Sequence, residues 1–507
     1  LAVIEFFTSM PKETIGIIMI GAMLFAIFVG FPISFTLIFL GVVFGYWAGG
    51  DLVFFLMTQK FSGAVQEQTL AAVPMFVFMG IMMEQAGLME RLFRAVQLML
   101  ATMRGSLYVA VLFVSTIFAA ATGIVGASVT ILGIMAAKTM NRSGYDVKLA
   151  AGTITAGGTL GILIPPSIML VVMGPVLEVP VTDLFAAAII PGIMLAFLYM
   201  AYALIRTWLN GNLGPPLPED ERPIVSKAYW AEAILVFGAM FGLIAIPMIF
   251  ANGVISYVVI TLVLLGAFVG IWKYVNSARP GGFFFSEVWR EFALGLVPPA
   301  ALVAFALGSI LFGWATPSEG AGCGAFGALV LTLAYGRFNL RGFGTALIKT
   351  LEISVLILFL VAASDFFGAV FAWLGTPTMM TNYLLQLDLS PTLILIMIMV
   401  FIFLLGWPLE WVPIVLIIVP ILLPILEQME INLLWFGILV AVNLQTAWLS
   451  PPVALSAYFL KGVVPEWDLK DIYLGMMQFM VIQAIGLVLI FTIPEIALWL
   501  PEYIYSE

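Results

Sequence analysis

Histidine is absent from these 507 residues, and cysteine occurs once, at Cys323. Without histidine the chain lacks the commonest metal ligand, the commonest general base and the usual intramembrane proton relay. A lone cysteine excludes an internal disulfide and a thiolate metal cluster. An intramembrane enzyme is therefore a poor reading. Charge is scarce as well: 9% of residues are Asp, Glu, Lys or Arg, against about a quarter in a soluble protein. The net charge of −9 comes without a basic patch, so nothing points to nucleic acid.

What fills the chain is apolar, at 63% of residues. Runs of about 20 such residues recur, each long enough to cross a bilayer core as a helix. The expected class is an all-α polytopic membrane protein. Spans are expected near 14–30, 31–49, 67–86, 148–174, 184–207, 231–251, 254–273, 296–312, 314–335, 354–376, 432–461 and 472–500. No cleavage-site chemistry follows the first of them. Two stretches are anomalous. Residues 107–137 and 391–424 would each make a helix of about 46–51 Å at 1.5 Å per residue, against a core of roughly 30 Å. Each breaks near its middle, the first from Thr122 to Ser128 and the second from Gly406 to Glu410. Either stretch is a tilted crossing or a hairpin that enters and leaves on one side.

Charge separates these alternatives. With both stretches as hairpins, only Lys12 and Lys60 of the 19 Lys and Arg fall on the outer face, leaving 17 on the other. With 67–86 and 354–376 as the hairpins instead, the split falls to 14 against 5. The positive-inside rule favours the first arrangement, with both termini outside. Each half then carries five crossings, an odd number, so the halves are antiparallel: an inverted repeat. The expected organisation is 1–106, scaffold spans and arm; 107–174, first hairpin and broken helix; 175–230, a final span and cytoplasmic linker; 231–280, an extra span pair; 281–390, scaffold spans and arm of the second half; 391–461, second hairpin and broken helix; and 462–507, the last span. Segments 51–66, 87–104 and 336–352 mix charge with apolar residues and read either as interfacial arms or as ordinary loops.

Two proline pairs carry the functional reading: Pro165 and Pro166 followed by Ser167, and Pro451 and Pro452 preceded by Ser450. Each pair is followed by a Val-Pro and an Asp-Leu, at Val179-Pro180 and Asp183-Leu184, then at Val464-Pro465 and Asp468-Leu469. Proline has no N–H and clashes with the preceding turn, and a carbonyl left unpaired in lipid costs several kcal/mol unless something satisfies it. Interrupted helices at corresponding positions of two halves point to a transporter binding site. A Pro kink that only shapes a helix explains one break; two matched breaks, each after a broken hairpin, favour the binding site. Hard, neutral oxygens suit a sodium ion, and half-helix N-termini suit a carboxylate. The expected first sodium site comprises Thr122, Ser128, Gly158, Thr159, Gly161 and Pro165; the second comprises Gly406, Pro408, Asn443, Thr446, Ser450 and Pro451. Substrate is expected against Thr122, Gly123, Ser128, Pro165, Pro166, Ser167, Gln445, Thr446, Pro451 and Pro452. Among acids in apolar runs, Asp365 and Glu410 are candidates for cation or proton coupling. Glu84 sits near a span end, and Glu319, after Thr316, reads as a helix cap.

The chain resembles the DctM-like large membrane subunit of tripartite ATP-independent periplasmic (TRAP) transporters. The resemblance lies in Val73-Pro74-Met75-Phe76, Gly144-Tyr145, Gly158 to Ser167, Pro191-Gly192, Gly313 to Glu319, Pro420 with Pro424, and Ser450-Pro451-Pro452. It covers nearly the whole chain. It implies a Na+-driven importer of organic acids with an elevator mechanism, in a bacterial inner membrane. It implies a small four-span membrane subunit and a periplasmic substrate-binding protein as partners, and no cofactor beyond Na+ as coupling ion. It also implies the fold of a wider ion-transporter superfamily, an inverted repeat with two re-entrant hairpins and two broken helices. This chain departs from that family at the first hairpin tip, where a common Ser-Gly-Ser-Ser is Thr122, Gly123, Ile124 and Val125. It also has Ser450 for a usual Thr, and Glu410 or nothing for an Asp common in the second hairpin. The pair 231–273 marks the longer variety of the subunit. A proton-coupled carrier and an anion channel are the alternatives, although a channel needs a continuous polar pore and the sequence has two local polar islands.

Overall fold

The structure is a computed structural model that describes residues 11–122, 125–219, 222, 287–386, 389–407, 409, 411–451 and 454–505. The expected extra span pair at 231–273 lies outside the described residues, as do Gly123, Pro408, Glu410 and Pro452. The first half runs α1 (Lys12–Val29), α2 (Ile33–Gly49), α3 (Leu52–Gln66), a 3-10 turn (Gln68–Ala71), α4 (Ala72–Gln85), α5 (Leu88–Met99) and α6 (Ser106–Thr122). Then come α7 (Val125–Leu132), a π-helical turn (Gly133–Ala137), α8 (Lys138–Arg142), α9 (Val147–Thr159), a 3-10 turn (Leu160–Ile162), α10 (Ile168–Leu177) and α11 (Val181–Leu209). The second half runs α12 (Glu287–Leu311), α13 (Pro317–Ala334), α14 (Leu340–Trp373), α15 (Thr376–Gln386) and α16 (Pro391–Leu405). It continues with α17 (Trp411–Pro413), a π-helical turn (Ile414–Ile418), α18 (Val419–Gln428), α19 (Leu433–Leu449), α20 (Leu455–Val463), α21 (Leu469–Thr492) and α22 (Glu495–Tyr505).

The chain is an all-α polytopic membrane protein. Among the described residues six helices are long and apolar enough to cross a membrane, and the bent pair α3–α4 makes a seventh. Several expected spans contain helices shorter than that measure, among them α2, α10 and α19. The stretch from Trp411 to Gln428 runs past the expected end at 424 and is itself long enough to cross.

Local chemistry explains where helices start. Asp146 accepts a hydrogen bond from the Leu149 N–H at 2.8 Å and opens α9. Asn432 accepts one from the Trp435 N–H at 3.1 Å and opens α19. The two broken helices thus begin with the same device, which satisfies an N–H that the helix cannot. Thr316 and Glu319 form a capping box on α13, so this acid is a cap and not an intramembrane site.

One expected arm is corrected. Residues 336–352 do not form a separate segment: from Leu340 they are the first turns of α14, a continuous helix of 34 residues. At 1.5 Å per residue it is about 51 Å long. The corresponding stretch of the first half bends by 50° between α3 and α4. The bend falls at Glu67, whose extended backbone ends α3; Pro74 lies in the first turn of α4, while α14 contains no proline. Glu67 sits at the bend and accepts from the Thr69 N–H at 3.2 Å. The other two segments, 51–66 and 87–104, carry α3 and α5 and are not ordinary loops.

Packing divides the molecule. α4 lies along α13 and α14, α14 along α2 and α3, and α12 along α5 and α13. A second body gathers α6, α7, α9, α10, α11, α19, α20 and α21. Its tightest seam joins α9 to α21. A Cβ on Gly475 would sit 1.9 Å from the Lys148 carbonyl oxygen, and one on Gly152 would sit 2.5 Å from that of Gly475. Only glycine permits that backbone approach.

Candidate functional site

Both proline pairs follow mostly buried helices; α9 is buried through its last turn, while Ala447 and Trp448 at the end of α19 are half-buried. In the first half α9 gives way to the 3-10 turn at Leu160, and helix resumes only at Ile168. Within the gap the Leu163 and Ile164 N–H groups donate to the Leu160 carbonyl at 3.1 and 2.9 Å. The Ser167 hydroxyl donates back to the Ile162 carbonyl. In the second half the Ser450 hydroxyl donates to the Thr446 carbonyl at 2.7 Å. The Ser456 hydroxyl, beyond the prolines, reaches back to the Trp448 carbonyl. In each half a serine downstream of the prolines thus quiets a carbonyl upstream of them, as burial in an apolar interior demands.

Glycine brings the first hairpin onto its break. A Cβ on Gly157 would lie 2.6 Å from the Ser115 hydroxyl of α6. One on Gly158 would lie 2.3 Å from a Val129 methyl and 3.2 Å from the Val129 nitrogen of α7. The 3-10 turn after Thr159 touches α6 and α7 as well. Ser128, Gly158, Thr159 and Gly161 are therefore on elements that meet, and all four are buried. Thr159 donates to the Ala156 carbonyl at 2.8 Å. Thr122 ends α6, and the tip beyond it lies outside the described residues.

The second junction uses amides. Asn443 Nδ2 donates to the Met399 carbonyl of α16 at 2.7 Å, tying the broken helix to the first limb of the second stretch. Its Oδ1 is buried without a partner among the described residues. The Thr446 hydroxyl donates to the Asn443 carbonyl at 2.5 Å. Gly406, at the end of α16, would place a Cβ 3.1 Å from that of Ala447. Gly406 and Asn443 thus sit at the α16–α19 junction, with Thr446 bonded to Asn443, while Ser450 packs on Met480 of α21.

The halves also cross. α10, which follows the first proline pair, rests on the π turn at 414–418 and on α18; α20, which follows the second, rests on α7. α19 touches the 3-10 turn at 160–162. The two breaks therefore lie in one packed body. Asp365 is apart from it, half-buried on α14 beside α2, α3 and α4. Two contributors were missed from sequence. Ser115 belongs to a common pattern of hydroxyls in apolar runs. Gln483 of α21 had a readable signal, an amide inside the span expected at 472–500. Among the described residues no three His, Cys, Asp or Glu side chains group as metal ligands.

Interrupted helices lined by neutral oxygens, in a chain whose described residues include six helices long enough to cross a membrane, are the architecture of a membrane transport protein. Residues 20–496 match the family described as the tripartite ATP-independent periplasmic transporter, DctM component, and the chain belongs to it. It is 26% identical to the sialic acid TRAP transporter large permease SiaM of Vibrio cholerae, covering 94% of this chain and 96% of that one. It is 26% identical to the C4-dicarboxylate large permease DctM of Pseudomonas aeruginosa, covering 87% of each. The 2,3-diketo-L-gulonate large permease YiaN of Escherichia coli is likewise 26% identical, over 95% of this chain and 97% of its own. Among solved structures, the YdaH transporter of Alcanivorax borkumensis shares the fold with a TM-score of 0.54, 16% identity and 88% of each chain covered. MtrF of Neisseria gonorrhoeae gives 0.51 at 13% identity, over 88% of this chain and 84% of that one.

Proposed function

We propose that this chain is the large permease of a Na+-coupled, binding-protein-dependent importer of an organic acid anion. The observation that carries the coupling ion is Asn443 Oδ1, an acceptor only 1% exposed by residue and without a partner among the described residues. A buried carboxamide oxygen with no donor is a costly arrangement unless a cation or a donor fills it. A hard cation of one charge fits oxygens of this kind. The second sodium site is thus Gly406, Pro408, Asn443, Thr446, Ser450 and Pro451. The first, from Thr122, Ser128, Gly158, Thr159, Gly161 and Pro165, uses hydroxyls and the carbonyls freed by the first break.

The substrate anion sits between the two breaks, against Pro165, Pro166, Ser167, Gln445, Thr446, Pro451 and Pro452 and the tip at Thr122 and Gly123. The substrates named for the relatives, sialic acid, C4-dicarboxylates and 2,3-diketo-L-gulonate, are all organic acids, which supports that class here. Residues 107–137 and 391–424 act as re-entrant hairpins of an inverted repeat, with both termini periplasmic. The body of hairpins and broken helices slides as an elevator against the scaffold of α2, α4, α12, α13 and α14. Na+ favours the state that holds substrate because it binds that state better. The partners are a small membrane subunit and a periplasmic binding protein. A relative named isethionate TRAP transporter permease DctMQ supports the first, since this chain covers only 59% of its length.

The test is uptake into proteoliposomes containing the chain, its small subunit and its binding protein, with the acid that the binding protein retains. Replacing external Na+ by choline is expected to abolish accumulation. Undiminished uptake in choline would return the coupling role to Asp365 or Glu410 and a proton.

A further inference from the structure

The last long helix, α21, reaches into the second junction through one side chain. Gln483 is fully buried. Its Nε2 donates to the Val442 carbonyl at 3.0 Å and to Gln445 Oε1 at 2.9 Å, both on α19. The other ends of the two amides, Gln483 Oε1 and Gln445 Nε2, are buried and have no partner among the described residues. One free acceptor next to one free donor matches a water molecule, which needs two to four polar partners to be held in an interior. A turn away, Ser450 Oγ lies 3.0 Å from Met480 Sδ, also on α21. The helix therefore grips α19 at Val442, Gln445 and Ser450, the turns just before the prolines.

These turns carry Asn443, Thr446 and Ser450. A helix that ends at a proline pair lacks the next turn to hold its last residues in place, so their position depends on neighbours. The bulk of the α19–α21 packing does not need Gln483. Trp435 Nε1 donates to the Ile490 carbonyl at 2.9 Å near the other end of α19, and the Gly152–Gly475 contact anchors α21 elsewhere. We infer that Gln483 is a positioning residue for the second ion site: with Gln445 and a bridging water it holds the broken end of α19 in the register that aims Asn443 Oδ1, Thr446 and Ser450 at one cation. This deepens the Na+ reading above and rests on it.

The test uses the full chain purified with its small membrane subunit. The Na+ concentration that half-saturates the rise in melting temperature is measured at constant ionic strength against choline. Gln483→Leu should raise that concentration about tenfold, a difference of about 1.4 kcal/mol. Gln483→Asn, which keeps the amide but shortens its reach, should raise it less. Because one amide alone is left unsatisfied in Gln483→Leu, the double variant Gln445→Leu with Gln483→Leu guards against simple misfolding. It should regain melting temperature in choline, since removing both partners is nearly neutral, and still need more Na+. If the single and double variants lose melting temperature but keep the wild-type Na+ midpoint, Gln483 is only structural and the inference is overturned. If the wild type itself shows no Na+ response, the coupling reading fails before Gln483 is at issue.

Discussion

The two proline-paired breaks solve one problem with different materials. In the first half every residue from Leu149 to Met173 is buried, and the close contacts are made by Gly157 and Gly158 against Ser115 and Val129. Its hydroxyls, on Thr153, Thr155 and Thr159, all donate to carbonyls within their own helix. In the second half the neighbouring helices are joined by carboxamides, Asn443 to α16 and Gln445 to Gln483 on α21. Glycine contact fixes distance and leaves no slack. Amide contact fixes direction, and leaves oxygen atoms over. The first junction is thus tightly seated, and the second leaves Asn443 Oδ1 without a partner among the described residues.

That contrast can be broken by adding one carbon to each junction. Gly158→Ala places a methyl 2.3 Å from a Val129 methyl and 3.2 Å from its backbone nitrogen, whereas Gly406→Ala meets the Ala447 methyl at 3.1 Å and the Phe403 and Ile402 carbonyl oxygens at 3.3 and 3.5 Å. Overpacking a tight interior costs typically about 1–3 kcal/mol. Gly158→Ala is expected to lower the melting temperature of the purified protein by several degrees and remove most uptake. Gly406→Ala, whose added carbon comes no closer than 3.1 Å to a neighbour, should lower the melting temperature less. Equal effects would mean that the two junctions are equally tight. A smaller effect is expected from the serines beyond the prolines. Ser167→Ala strands the Ile162 carbonyl in a fully buried gap, a loss of about 1–3 kcal/mol. Ser456→Ala strands the Trp448 carbonyl where the chain is half-exposed. Thermal melts should rank Ser167→Ala as the more damaging of the two, and the reverse order would undo the difference in burial on which the comparison rests.

Much of this was legible from sequence because proline and glycine impose backbone consequences wherever they fall. Pro165-Pro166 and Pro451 end helices as expected, Gly157 and Gly158 admit a neighbour as expected, and Thr316 with Glu319 caps a helix. Family membership rests on the same residues. What was not legible came from the absence of such punctuation. Residues 336–352 mix charge with apolar residues as 51–66 do, yet no extended residue like Glu67 interrupts them after Leu340, and they run straight into a single long helix. Side-chain partners were the other blind spot. Gln483 stands out as polar in an apolar run, yet only its position opposite Val442 and Gln445 reveals what it holds. Asn443 was expected at the ion site, but which of its two amide ends would be tied to Met399 follows from the placement of α16, not from its spacing.

The central claim is that hairpins and broken helices move as one body past the scaffold, and cross-linking tests it most directly. Ser115→Cys with Gly157→Cys joins two elements inside the body, whose side chains would meet within 3.1 Å at Cβ. Phe76→Cys with Phe185→Cys joins α4 of the scaffold to α11, where the wild-type rings lie edge to face at 6.3 Å. Uptake into proteoliposomes is measured before and after closing each pair, by oxidation or a short bifunctional reagent. The account predicts that the first link leaves transport intact and the second stops it. Transport that continues with Phe76→Cys and Phe185→Cys joined, or stops only when Ser115→Cys and Gly157→Cys are joined, would contradict it.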